Sequence, residues 1–321
     1  MIKKIMYSIA AFTLSFLLFD GSAFAEKPDK DVDWNGKVVE KLKINKDLTL
    51  EKLEDGRVLP VSKDIAESLN EIELIDVTTF MGYENTESIS TGLKRQMAQD
   101  GGKAVVLKDK KIKFKKMDKD GNVIEKGESP LNNHSMNLTT SNTKTLKNYH
   151  SIMAASIPPS IDNDEWSGAI YAGLSGTTDK QFKYALYFDY DWKENPFAWV
   201  DKMGLAWTTG GTKVAGSDYS NHYLRLSTGR RTDLIDIEES TSYGTVINVE
   251  MANAHDGNQW GYQTVKVYYD EEDGGKEEFF AGKYVHNWQI VANDISIGPA
   301  TIDISDGFYE WDLEANFELG K

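Results

Sequence analysis

The chain contains no cysteine. That absence removes disulfides, a thiol nucleophile, thiolate metal ligands and a lipid-bearing cysteine behind a signal peptide. Basic charge is also in deficit: 36 Lys and Arg stand against 51 Asp and Glu, a formal net charge of −15. Nucleic-acid binding depends on lysine and arginine displacing counterions, so DNA, RNA and anionic membrane surfaces are excluded as expected partners. Beyond Phe19 no stretch approaches the length of apolar residues a membrane-spanning helix needs. Residues Phe317–Lys321 carry neither a hydrophobic tail nor a sorting-type motif, so no stable membrane anchoring is expected.

Motifs of familiar chemistry are missing too. His134, His150, His222, His255 and His286 are scattered, form no H-x-H or H-E-x-x-H pair, and are expected at the surface. Gly173-Leu174-Ser175-Gly176 lacks the spacing of a nucleophile elbow, and no glycine-rich phosphate loop follows a strand. No internal repeat at a solenoid or propeller period is visible.

What is present begins with an export signal. Lys3 and Lys4 precede the apolar run Ile5–Phe19, and Ala23-Phe24-Ala25 forms a small-x-small cleavage site before Glu26. The run is too short to span a bilayer, since that needs roughly 20 apolar residues. A secreted, extracellular, bacterial protein without disulfides must be held by its core, and the chain is long enough to build one.

The domain organisation expected is a signal peptide (1–25), a charged leader (26–36), a small α+β region (37–128), a Ser/Thr/Asn-rich linker (129–148) and a β-domain (149–321). Within the α+β region, Ser62 caps a short helix and Ser90–Gln99 forms another, ended by Gly101-Gly102. Ile72–Met81, rich in β-branched residues, is expected as a strand, and Lys103–Lys126 as two or three strands. The linker could hold an edge strand at Met136–Thr140.

Past Tyr149 the period becomes two. Tyr184, Leu186, Phe188, Tyr190 and Trp192 alternate with Tyr187, Asp189 and Asp191, and Tyr309–Leu319 alternates with Glu310, Asp312, Glu314 and Glu318. This is the mark of antiparallel strands with one face packed and one wet. Further strands are expected from Trp166 to Ile304, Trp288–Val291 among them. The fold class is therefore mainly β: a C-terminal antiparallel β-sandwich or jelly-roll-like domain preceded by a small α+β region.

The β-domain holds seven of the eight tryptophans. Trp311 and Trp192 fall on the apolar faces of alternating strands and are expected inside, although Trp192 also counts among the binding candidates. Trp192, Trp199, Trp207, Asn258, Gln259, Trp260 and Tyr262 are the candidate ligand-binding residues, because aromatic faces stack on sugar rings while amides bond the hydroxyls. Asp118, Asp120 and Asn122 do not continue into a calcium loop. Asp270, Glu271, Glu272 and Asp273 are weak calcium candidates best explained as a hairpin tip, and no cofactor is otherwise expected.

The function expected is non-enzymatic binding of an extracellular polysaccharide or surface protein. The alternatives are a pore-forming or effector protein, with Thr245–Ala252 as inserting strand, and a hydrolase with Asp189 and Asp191 as acid and base. Intact mass of the secreted protein should give one chain beginning at Glu26. A product beginning within 129–148 would instead make the N-terminal region a removable pro-segment.

Overall fold

The computed structural model describes residues 32–118, 122–130, 158–162, 165–194, 200–226, 229–234, 237–251, 259–286, 295–304 and 309–320. The signal peptide, Met136–Thr140, Trp288–Val291, Trp199, Asn258, His134, His150, His255 and nearly all of the linker lie outside the described residues.

A hairpin of β1 (Val38–Lys43) and β2 (Thr49–Leu53) leads into α1 (Lys63–Ser68), α2 (Glu71–Phe80) and α3 (Thr91–Asp100). α2 replaces the strand expected at Ile72–Met81. A capping box starts it: the Asn70 side chain accepts from Glu73 N–H while the Glu73 carboxylate accepts from Asn70 N–H. Leu74, Val77, Thr78 and Met81 then fall on one buried helical face, and β-branched Ile72 is left in solvent. Tertiary burial at helical spacing outweighs the β preference of the individual residues. The helix expected over Ser90–Gln99 is α3, which Ser90 caps by accepting from Leu93 N–H.

The remaining strands are β3 (Lys103–Ala104), β4 (Lys108–Met117), β5 (Val123–Pro130), β6 (Ser160–Asp162), β7 (Trp166–Thr177), β8 (Gln181–Trp192), β9 (Val200–Trp207) and β10 (Thr212–Lys213). They continue with β11 (Tyr219–Leu226), β12 (Gly229–Leu234), β13 (Ile237–Ser240), β14 (Gly244–Glu250), β15 (Gln259–Asp270), β16 (Glu277–His286), β17 (Ile295–Gly298), β18 (Thr301–Ile304) and β19 (Tyr309–Glu318). Sheet 1 runs β12-β11-β15-β8-β7-β3, with β10 also on β15 and β6 also on β7. Sheet 2 runs β13-β14-β9-β16-β19-β4-β5. Every pairing is antiparallel, and the protein is mainly β.

The two sheets face each other across one apolar core. Tyr184, Leu186, Phe188, Tyr190 and Trp192 of β8 meet Leu205 and Trp207 of β9, Phe280 and Tyr284 of β16, and Leu313 and Phe317 of β19. Trp166 and Trp311 stack across the gap with ring centroids 4.5 Å apart and planes 13° from parallel. The hairpin β17–β18 covers Ala206, Val246 and Val285 on the far side of sheet 2.

β4 and β5, which sequence pattern places before the linker, extend sheet 2 through β19. The acidic alternate residues of β19 supply the reason: Lys113 Nζ lies 2.5 Å from Glu314 and Lys115 Nζ 2.8 Å from Glu310, while Phe114 pairs with Trp311 in register. β14 lies inside sheet 2, between β13 and β9. Insertion of Thr245–Ala252 into a bilayer would break both ladders.

The wet face expected for β8 is covered instead. Leu74, Val77, Leu93 and Met97 pack with Tyr171, Tyr187, Tyr223 and Tyr262 in a second core between the helices and sheet 1. Close approach depends on Gly102, at φ +93°, where an added Cβ would sit 2.2 Å from the Leu174 carbonyl oxygen. Gly102→Ala should therefore cost about 3 kcal/mol in urea unfolding, from backbone strain plus overpacking. An unchanged urea midpoint would show that the helices do not need this contact.

Candidate functional site

Strand register assembles a tract on the helix-facing side of sheet 1. One cross-strand row reads Asp162, Ser167, Asp191, Trp260, Tyr223. The next reads Ala169, Asp189, Tyr262, Asn221, and a third Tyr171, Tyr187, Thr264, Tyr219. Directly paired residues project to the same face, so the register brings two expectations together: Trp260 and Tyr262 as binding residues, Asp189 and Asp191 as a carboxylate pair.

The helices cover the inner rows. Tyr83 meets Tyr171 and Tyr187 edge-on, with centroids 6.3 and 6.5 Å away, and Tyr187 Oη donates to Asp100 Oδ2 at 2.9 Å. Ser90 N–H, at the start of α3, donates to Asp189 Oδ2 at 2.7 Å. The first row lies at the rim of this cover: Ser167, Asp191 and Trp260 are half-buried and Asp162 is exposed. Tyr223 stacks on Trp260 at 5.7 Å, and Asn221 Nδ2 donates to Tyr219 Oη at 2.9 Å and Tyr262 Oη at 3.1 Å. Tyr219 is 40% exposed, so the tract offers ring faces and polar groups at one edge.

Both carboxylates hold their protons above the usual carboxylate range. Desolvation pushes Asp189 up to about 7, with Asp191 adding to the rise and the Ser90 hydrogen bonds and Lys94 opposing it. Asp191 is raised to about 6, again chiefly by burial, with Asp162 adding and Lys193 opposing. Asp189 is 6% exposed, and its Oδ1 has no hydrogen-bond partner among the described residues. Lys94 is committed elsewhere: its fully buried ammonium donates to the Thr86 carbonyl at 3.0 Å and pairs with Glu71.

Other sequence candidates lie in the interior. Trp192 and Trp207 are 4% and 0% exposed, and Gln259 is fully buried. Trp192 Nε1 donates to Tyr284 Oη at 2.9 Å, and Tyr284 Oη donates to Asp201 Oδ2 at 2.7 Å. His286 Nδ1 lies 2.9 Å from Asp201 Oδ1; His222 bridges Tyr190 Oη at 2.7 Å and Gln259 Oε1 at 3.2 Å. His222 and His286, expected at the surface, are thus among the most buried polar residues. Their strand parity gave the signal, since His222 alternates in phase with Leu224 and His286 with Phe280 and Tyr284. The network satisfies polar groups inside the core.

Asp270 ends β15, and Glu271–Asp273 form a single 3-10 turn. Gln181 Nε2 donates to Asp270 Oδ1 at 3.2 Å, Lys276 pairs with Asp273, and no metal-holding group of three or more His, Asp or Glu side chains occurs among the described residues. The hairpin tip is what the geometry gives.

Asp189 sets a pH dependence. Its folded-state value lies above the ordinary unfolded value of about 3.9, so its contribution is present in acid and lost as pH rises through about 7. Asp189→Asn should raise stability at pH 8 by on the order of 2 kcal/mol relative to the parent and lower it or leave it level at pH 4. Thermal melts at the two pH values check this; a variant less stable at pH 8 would contradict it.

The sequence matches no family model and no curated protein. Among solved structures, the collagen-binding subdomain of the Enterococcus faecalis surface protein ACE overlaps 42% of this chain and 87% of its own, at 4% identity and a TM-score of 0.26. The collagen-binding domain of Erysipelothrix rhusiopathiae surface protein RspB overlaps 50% of this chain and 47% of its own, at 6% identity and TM-score 0.29. The membrane-inserted Clostridium perfringens NetB toxin overlaps 50% of this chain and 94% of its own, at 9% identity and TM-score 0.28. Likeness at this level says nothing about ligand or activity.

Proposed function

We propose that this chain is a secreted, non-enzymatic bacterial protein that binds an extracellular polysaccharide along the rim row of sheet 1. The observation that carries the reading is the half-buried Trp260, stacked on Tyr223 and flanked in register by Asp191. An indole face beside a carboxylate acceptor suits a pyranose, whose ring hydrogens are apolar and whose hydroxyls need partners. A protein exported on the signal read from Lys3 to Ala25 would meet polysaccharides and surface proteins. No helix among the described residues is long and apolar enough to cross a membrane.

Asp189 and Asp191 favour one second reading, hydrolysis of the bound sugar. They lie two residues apart on one strand face, about 6.6 Å along it, and both are protonated more readily than ordinary carboxylates. Inverting hydrolysis uses a carboxyl pair of comparable separation, one acid and one base.

On an array of wall and matrix glycans the secreted protein should bind at least one polysaccharide, and Trp260→Ala should weaken that binding tenfold or more with the circular dichroism spectrum unchanged. Binding to none of them would remove the polysaccharide reading. Release of new reducing ends from the bound glycan, lost in Asp191→Asn, would move the protein to the hydrolytic reading.

A further inference from the structure

We propose that the sugar taken at the rim row carries a free amine, held as an ammonium group between the Asp191 carboxylate and the face of Trp260. The inference rests on the polysaccharide reading and narrows it to amino sugars.

Cross-strand neighbours at paired positions bring their side chains within about 5 Å at Cβ, so Asp191 and Trp260 can grip one small cationic group together. The indole attracts a cation through its negative ring face, and the carboxylate attracts it through charge. Behind Asp191 on the same face stands Asp189, whose Oδ1 is buried without a hydrogen-bond partner among the described residues. The nearby cations are engaged with other groups: Lys94 with Glu71 and the Thr86 carbonyl, Lys193 with Asp162.

A metal ion does not fit this place, because the carboxylates are not grouped with a third ligand as a metal requires. An ammonium needs fewer partners: three donors, one or two acceptors and an aromatic wall. A neutral acetamido sugar would desolvate Asp191 and return no charge to it. The net charge of −15 works in the same direction by drawing a cationic polymer toward the whole protein.

Calorimetric titration of the secreted protein with a glucosamine hexamer and an N-acetylglucosamine hexamer, at pH 6.5, tests this. The amine hexamer should bind at least tenfold more tightly, its binding should weaken with added salt, and Asp191→Asn should abolish the preference. Equal affinity for the two hexamers, or tighter binding of the acetylated one, overturns the inference while leaving polysaccharide binding in place. A preference that survives in a folded Asp191→Asn variant overturns the assignment to Asp191. Failure of both hexamers and of every array glycan overturns the inference and the polysaccharide reading together. Should the Asn variant not fold, the comparison on the parent protein still decides.

Discussion

Burial of β8 on both faces is the constraint from which the rest of sheet 1 follows. Its even-numbered aromatic residues fill the sandwich, while Tyr187 and Asp189 lie beneath α3 and the segment before it. A strand at the centre of three layers has no solvent to receive its polar side chains, so each must find a partner inside or pay in ionisation. Tyr187 finds Asp100, which Lys266 also meets at 3.1 Å. Asp189 finds only the Ser90 end of α3, and the proton it retains to about neutrality is the consequence.

The same accounting separates two polar groupings that look alike in composition. Trp192, Asp201, Tyr284 and His286 close a hydrogen-bonded chain within the sandwich, with aromatic rings on several sides. Fully paired, such a chain fixes one packing of the core. The Asp189–Asp191 tract differs in that Asp189 Oδ1 is buried without a hydrogen-bond partner among the described residues, while Asp191, two residues on, lies half-buried at the edge of the cover.

The β-sandwich was legible because the period of two is strong in β8 and β19, and each expected face did carry its aromatics inward. The helix α2 was legible only in part: the Asn70–Glu73 capping box and the spacing of Leu74, Val77, Thr78 and Met81 were present, but β-branched residues masked them. The helical cover was not readable, since alternation reports that a face is polar and not whether another layer lies on it. For that reason Asp189 read as a solvated charge. The rim row itself depends on the register of β6, β7, β8, β15 and β11, and no local pattern joins Asp162 to Tyr223 across that sequence distance.

The position of the tract is finally a matter of where the cover stops. α3 begins next to Asp189 and Tyr223: Ser90 bonds the carboxylate, and a Cβ at Gly92 would lie 2.5 Å from the Tyr223 hydroxyl oxygen. Helix and sheet touch there as closely as backbone allows, which seals Asp189 in the second row and Tyr223 at one end of the first. Beside Tyr223 in that first row, Trp260 and Asp191 are only half-buried. A complete cover would have made Trp260 one more core residue, and no cover would have left Asp191 an ordinary surface charge. Partial burial leaves the indole part-exposed and at the same time desolvates its neighbouring carboxylate, so the two features that suit a cationic sugar have one structural origin.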